Sequence, residues 1–254
     1  MDKSGIPKTD YSEIAEYYDR VRPSLVDYWL SKIIEYGKIE TNCSVLDVGC
    51  GTGRYPLSML AATGCRAYGL EPSIKMLEHA KAKDKPRGIS WVCGDGQRLP
   101  FKDNSFDCVY MTLVIHHVEK KELALRETRR VLRKNGNCVI VTNSHSRIRK
   151  HILRHFPGVV ELDLKRFPSI PSLKKVMATV GFREIHHHIL RQNRGYISTA
   201  EYLERVRNKY ISTLTLLSQD QFQKGFRIFS DRLRTNYGGR IEQLDRFTLV
   251  VGWK

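Results

Sequence analysis

Three stretches of the sequence set an acidic residue among glycines or beside a proline. They are Asp47-Val48-Gly49-Cys50-Gly51-Thr52-Gly53, Glu71-Pro72 and Gly94-Asp95-Gly96. Glycines let a backbone turn tightly and approach a ligand closely, and carboxylates accept hydrogen bonds from hydroxyls and amines. The first stretch is a poor dinucleotide loop. Gly49 and Gly51 fit the G-x-G-x-x-G pattern, but its third glycine falls on Arg54, and Gly53 comes one place early. It also lacks the Lys-Ser/Thr pair with which a P-loop grips phosphate. The loop therefore reads as built for close approach to a ligand without a phosphate. Glu71 lies 22 positions beyond Gly49, where a carboxylate can take both hydroxyls of a ribose. An acid there equally suits the positive end of a helix dipole. Asp95 could accept the amino group of a base, with Leu99 and Phe101 over the ring face, although Gly-Asp-Gly is also ordinary turn chemistry.

A second set of residues could move protons. His116, His117 and His145 follow apolar runs, and histidine titrates near neutral pH. Each could act as a base or simply pack and orient a loop; Tyr11 and Tyr18 are weaker options for the same task. His186-His187-His188 does not read as a metal site, because neighbours on a strand point to opposite faces and cannot converge on one ion. The six cysteines form no C-x-x-C pair and fit no zinc spacing, so they read as reduced and structural.

These residues need a scaffold. Apolar runs at 44–48, 66–70, 89–92, 106–111 and 137–143 read as strands. Helical periods at 25–36, 55–62, 73–82 and 121–132 lie around and between them. An earlier helical pattern uses Ile14, Tyr17, Tyr18 and Val21, with Pro23 interrupting it. Strands alternating with helices at this spacing form a parallel α/β sheet, which binds ligands at the carboxyl ends of its strands. Asp47, Glu71 and Asp95 stand at three successive strand ends. Beyond residue 143 the pattern loosens. A helix over 172–180 is closed by Gly181, residues 182–190 form a sixth strand, residues 196–236 read as almost wholly helical, and 247–253 is a last strand.

The chain resembles the class I S-adenosylmethionine-dependent methyltransferases, in particular the ubiquinone/menaquinone-biosynthesis-like group (methyltransferase type 11). The resemblance is carried by residues 45–53, Glu71, 94–101, Phe106-Asp107-Cys108-Val109, Val114-Ile115-His116-His117-Val118, and Glu127 with 130–136. It covers about residues 11–143; Asn135 stands where the family usually has proline before Gly136. It implies an α/β, Rossmann-like, seven-stranded, mostly parallel sheet. The last strand would be antiparallel and inserted between the fifth and sixth, with helices on both faces and a helical cap from the N-terminus and a C-terminal insertion. It implies S-adenosylmethionine as cofactor and S-adenosylhomocysteine as product. The implied cofactor contacts are Asp47, Gly49, Cys50, Gly51 and Gly53 toward the methionine part, Glu71 and Pro72 at the ribose, and Met76 on the ribose–adenine side. Asp95, Gly96 and Gln97 would serve the adenine; Met111 ends the fourth strand and Thr112 and His117 lie past it, with Thr112 near the methionine ammonium. Tyr11, Tyr18 and Arg22 would belong to a lid.

The expected division is an N-terminal helical lid over 1–43, a cofactor-binding core over 44–143, an insertion with remaining core elements over 144–190, a helical cap over 191–246 and the final strand over 247–254. A chain of 254 residues with 41% hydrophobic residues can bury a core without disulfides or metal. It contains no apolar run long enough to span a bilayer, and residues 1–10 are polar and lack a secretory h-region. A cytoplasmic monomer is expected. Its net charge of +16 is spread over residues 126–134, 147–154 and 191–207 rather than gathered in a tail. The expected partner is a small-molecule acceptor. The charge keeps RNA methylation open as an alternative, though no RNA-binding module is visible, and a non-catalytic regulator that binds S-adenosylmethionine is the other.

Overall fold

The computed structural model describes residues 11, 15, 16, 18–21, 26–85 and 87–254. Arg22, Ile14, Tyr17 and Pro23 lie outside the described residues. The chain runs α1 (Tyr18–Val21), α2 (Val26–Gly37), β1 (Ser44–Val48), α3 (Arg54–Thr63), β2 (Arg66–Glu71), α4 (Ile74–Lys83), β3 (Ser90–Cys93), β4 (Phe106–Thr112), α5 (Lys121–Val131) and β5 (Leu132–Thr142). There follow α6 (His145–Lys150), a 3₁₀ turn (Ile152–His155), α7 (Val159–Arg166), α8 (Ile170–Thr179), β6 (Arg183–Ser198), α9 (Thr199–Arg207), α10 (Ser212–Thr215), α11 (Gln219–Tyr237) and β7 (Arg240–Trp253).

The seven strands form one sheet in the order β3-β2-β1-β4-β5-β7-β6, and β7 runs antiparallel between β5 and β6. This is the Rossmann-like arrangement expected from the sequence. The chain reverses direction across the sheet between β1 and β4, which pair in parallel, and the crevice at such a switch point is where open α/β sheets take ligands.

The strands alternate as a sheet buried on both faces must. Leu46, Val109, Met111 and Ile140 pack toward Leu125 of α5 and Leu173 and Met177 of α8. Val45, Tyr110, Val139 and Val141 pack toward Trp29 and Ile33 of α2 and Met59 of α3. Local chemistry sets the helix ends. Ser73 caps α4 by accepting from the Met76 amide, and Gly64 closes α3 in the left-handed conformation at φ 67°.

The second half departs from expectation. β6 extends to Ser198 and β7 starts at Arg240, so residues 191–198 and 240–246 are strand rather than cap helix. β5 pairs with β7 only as far as Thr142↔Thr248, whereas β6 and β7 stay paired to Ser198↔Arg240. The two thus leave the sheet as a two-stranded ribbon, and α9, α10 and α11 sit at its far end. These helices share an apolar core with Leu153, Phe156 and Val159 from the stretch before α8. The cap therefore draws on two separated stretches. Gly225 makes their junction: any side chain on it would strike the Phe156 ring.

Candidate functional site

The glycine loop is wrapped around the end of β2. The amides of Gly49 and Cys50 both donate to the Leu70 carbonyl, at 2.7 and 3.1 Å. Gly49 has φ 78°, and a Cβ there would lie 2.5 Å from a Val114 methyl, so this position requires glycine. Gly51, at φ 54°, has nothing within 4 Å of where a Cβ would be: open space borders the loop. Glu71 ties the two strand ends together. Its Oε2 accepts from the Gly51 amide and its Oε1 from the Ser73 amide, each at 3.0 Å. One lone-pair direction on each oxygen is spent on the backbone, and the other is left for a ligand.

That open space is a cavity of about 620 Å³, bordered on one side by the ends of β1 to β5 and on the other by α6, α7, α10 and the ribbon. Of the residues expected at a cofactor, Tyr18, Asp47, Gly49, Cys50, Gly51, Glu71, Pro72, Met76, Asp95, Gly96, Gln97, Thr112 and His117 line it. Gly53 and Met111 do not. Gly53 caps α3 at φ 77°, and a Cβ there would lie 2.5 Å from the Trp91 ring, so this glycine serves packing. Met111 is fully buried in the core beneath the sheet, because the pleat turns it away from the side Thr112 takes. Leu99 and Phe101 also pack inward; Phe101 meets the Phe106 ring edge-on at 4.9 Å and does not border the cavity. Arg22 lies outside the described residues.

The expected lid is fastened to the loop. Thr52 donates its hydroxyl to Asp19 Oδ1 at 2.7 Å, and Lys83 pairs with Asp19 Oδ2 at 2.7 Å. Tyr11 and Tyr18 line the cavity with their rings edge-on, 6.1 Å apart.

The cavity's cofactor side is acidic. Asp47, Glu71 and Asp95 stand at the ends of three adjacent strands, which suits a cationic ligand and opposes a pyrophosphate. Asp47 Oδ1, Thr112 Oγ1 and Asn143 Oδ1 are buried without hydrogen-bond partners around the same opening. Three acceptors awaiting donors fit the ammonium and hydroxyls of S-adenosylmethionine, and Glu71 fits its ribose. Asp95 is already oriented: both of its oxygens accept from Gln97, whose Oε1 in turn accepts from the Lys120 amide at 2.8 Å.

Burial raises the Asp47 carboxyl well above the usual carboxylate range, and raises Glu71 as well, partly offset by the Ser73 and Gly51 amides. For an acid raised in the folded state, the associated stability is complete below the unfolded value and is lost as pH rises through the folded one. The ligand-free protein is therefore expected to lose stability on going from acid to neutral pH at these groups. Asp47→Asn is expected to melt about 2–4 °C higher than wild type at neutral pH, corresponding to roughly 1 kcal/mol, and equal to it at acid pH. Thermal melts across pH measure this; a lower neutral-pH melt for the Asn protein would count against a buried charge at Asp47. The Cys50 thiol beside these acids is pushed up by burial and by Asp47 and Glu71, so it stays protonated and unreactive.

The three candidate bases separate. His145 begins α6 and is not on the cavity wall; its Nε2 donates to the Phe167 carbonyl at 2.8 Å, which holds the loop before α8. His116 lines the cavity with its ring stacked on Phe167 at 3.8 Å. His117 lies at the junction of lid, core and cap. Arg166 Nη2 is 3.4 Å from its Nδ1, and the Tyr11 hydroxyl is 2.7 Å from its Nε2. A guanidinium only donates, so Nδ1 accepts and Nε2 carries the proton toward Tyr11. Both ring nitrogens are thus engaged.

Arg166 is itself buried and donates to Thr213 Oγ1 at 2.9 Å, Ser212 Oγ at 3.1 Å and Asp163 Oδ1 at 3.5 Å. Burial raises the Asp163 carboxyl, and Thr213 and Arg166 offset this. Sequence reading missed Asn143, Arg147, Asp163, Arg166, Tyr210 and Asp245, all on the cavity wall. The one local signal was Ser144 as an N-cap followed by Arg147 and His151 at i and i+4, a spacing that puts both on one helix face. In the histidine run, His188 stacks on Tyr36 and His186 meets Trp253. No cluster of His, Cys, Asp and Glu among the described residues could hold a metal, and no described helix is long and apolar enough to cross a membrane.

Comparison with known proteins agrees with this architecture. Residues 46–140 match a family described as "Methyltransferase domain". The demethylmenaquinone methyltransferase of Staphylococcus haemolyticus is 32% identical over 144 residues, which are 54% of this chain and 60% of that protein. The match thus spans about three fifths of that relative's length. A solved structure described as a methyltransferase from an antibiotic biosynthesis pathway of Anabaena variabilis superposes with TM-score 0.73 at 23% identity, over 88% of this chain and 96% of that one. A phosphoethanolamine N-methyltransferase of Haemonchus contortus, in complex with phosphomonomethylethanolamine and S-adenosylhomocysteine, superposes with TM-score 0.64 at 18% identity, over 96% of this chain and 57% of that one. At such identities these two structures bear on the fold alone.

Proposed function

We propose that the chain, whose residues 46–140 match a methyltransferase domain, is an S-adenosylmethionine-dependent methyltransferase that transfers a methyl group to a small molecule held between the strand ends and the helical cap. The observation that carries this reading is the continuity of the cavity. One opening runs from the acidic strand ends to the cap residues Ile148, Val159, Val160 and Ile211, so a cofactor and an acceptor can meet within it. When bound, S-adenosylmethionine supplies a methyl group already activated on a sulfonium.

The work left to the protein is mainly positioning, which alone can supply several kcal/mol of a displacement barrier. On this reading Glu71 holds the ribose hydroxyls. Asp47, Thr112 and Asn143 receive the donors of the methionine end, and Asp95 with the Gly96 amide takes the adenine. Tyr11 and Tyr18 cover the opening and exclude water. His117 keeps Tyr11 in register with Arg166. Of the three candidate bases, His116 and His117 are on the wall; with both ring nitrogens of His117 engaged, the role of base for an acceptor that must lose a proton falls to His116, whereas a nucleophile already free of one needs no base. The cavity's apolar cap side favours an acceptor with a substantial apolar body. The substrate named for the Staphylococcus relative belongs to that protein.

The test is calorimetric titration of the purified chain with S-adenosylhomocysteine. One-to-one binding is expected, and its absence would reject the proposal. Tritiated-methyl transfer from S-adenosylmethionine to extracts, followed by fractionation of the labelled product, then isolates the acceptor.

A further inference from the structure

Arg147 stands on the cap side of the cavity with no direct partner for its guanidinium among the described residues. It lies on α6, which Ser144 caps by accepting from the Arg147 amide at 3.2 Å. The side chain lines the cavity and its guanidinium carbon sits 5.6 Å from the centre of the Phe247 ring. It makes no hydrogen bond and no ion pair with any described residue, and its Nε is buried without a partner. The nearby acids reach it only at a distance: Asp245 lies 3.7 Å from Arg194 and acts on Arg147 through space, and Asp163 holds Arg166 and Thr213. Arg246 adds positive charge nearby. Burial lowers the Arg147 guanidinium from its ordinary value, the mark of a cation poorly compensated where it stands.

Folded proteins pair buried cations, because taking a charge out of water without a counter-ion costs several kcal/mol. A half-buried guanidinium that faces a cavity, its Nε buried without a partner, is suited to an oxyanion from outside, bound through charge-assisted and often bidentate hydrogen bonds. The walls beside it are apolar, with Ile148, Leu153, Val159 and Ile211. His151 adds one more polar group. Its Nδ1 accepts from the Leu153 amide at 3.4 Å, which leaves Nε2 to carry a proton in the neutral ring, and burial keeps the ring neutral.

We infer that Arg147 is the specificity anchor for an anionic group, a carboxylate or comparable oxyanion, on an acceptor whose remaining body is apolar. This rests on the reading of the cavity as a methyl-acceptor site. Arg166 and Asp163 on the same wall are paired with each other, which leaves Arg147 as the cap-side guanidinium without a hydrogen bond or ion pair among the described residues.

The test compares octanoate with octanamide, probes of similar shape that differ in charge, by calorimetry with and without saturating S-adenosylhomocysteine. Wild type is expected to prefer the acid by about tenfold or more, the value of a hydrogen-bonded charge pair. Arg147→Met keeps the length of the side chain and is expected to lose that preference while melting cooperatively. Arg147→Lys is expected to keep part of it. Equal binding of acid and amide by wild type overturns the inference, as does a preference that survives in Arg147→Met. Should Arg147→Met fail to fold, the wild-type and Lys measurements decide. S-adenosylhomocysteine is titrated into the same samples. Loss of its binding would reject the methyltransferase reading, and the acid preference of the ligand-free protein is read separately.

Discussion

Replacing Glu71 with alanine is expected to weaken S-adenosylhomocysteine binding by about a hundredfold. Two effects add. The carboxylate supplies the acceptors assigned to the ribose hydroxyls, and a hydrogen bond to a charged group is worth about 1.5–3 kcal/mol. The same oxygens hold the amides of Gly51 and Ser73, so the substitution also releases the loop from the end of β2. Glu71→Gln separates the two. Its amide oxygen can keep one backbone contact while the charge is gone, so an intermediate loss of about tenfold is expected. Calorimetry on both variants measures this, with far-ultraviolet circular dichroism to establish that the sheet is intact. Unchanged affinity in Glu71→Ala would remove the ribose assignment.

The largest effect on stability is expected at Arg166. Truncation to alanine leaves the buried Asp163 without its counter-charge and strips donors from Ser212, Thr213 and His117. Breaking one side of a buried, hydrogen-bonded ion pair costs about 3–5 kcal/mol. Urea unfolding should show that loss, with the midpoint of the cap falling before that of the sheet if the two separate. The paired substitution Arg166→Met with Asp163→Leu removes both charges and should recover most of the stability. It would not recover the link to His117, so any methyl-transfer activity should stay low in the double variant. Full stability in Arg166→Ala would show that this network holds nothing together.

The sequence revealed those parts of the molecule whose cause is local. Asp47, Glu71 and Asp95 were legible because each closes a short apolar run at a turn, and turn chemistry is written in adjacent residues. The glycines were legible too, but not their separate duties. Gly49 and Gly53 both sit at positive φ, yet one clears a path past Val114 beside the cavity and the other makes room for Trp91 in the core. Only the position of a distant side chain tells them apart. Met111 was misassigned by a single residue of pleat.

The ribbon was hidden for a different reason. Once β6 and β7 leave the sheet, both of their faces meet solvent in part. Arg191, Asn193 and Tyr196 are exposed, and Gln192 and Arg194 half-buried, so no alternation of apolar and polar residues marks a strand. Arg147, Asp163, Arg166 and Tyr210 come from three stretches that meet only in the folded chain. Their spacing carries no pattern, and what shows their role is burial without enough counter-charge.

The ribbon has a consequence for how such a chain diversifies. The helices α9 to α11 depart after Ser198 and return at Arg240, two residues that face each other across a single antiparallel pair. Everything between them is an excursion with entry and exit side by side, held on a stem that the sheet already supplies. Such a segment can be grafted, lengthened or exchanged without disturbing the register of β1 to β5, since loop insertions at a closed stem cost little. Chimaeras cut at 198 and 240 should therefore keep cofactor binding while changing the molecule that receives the methyl group.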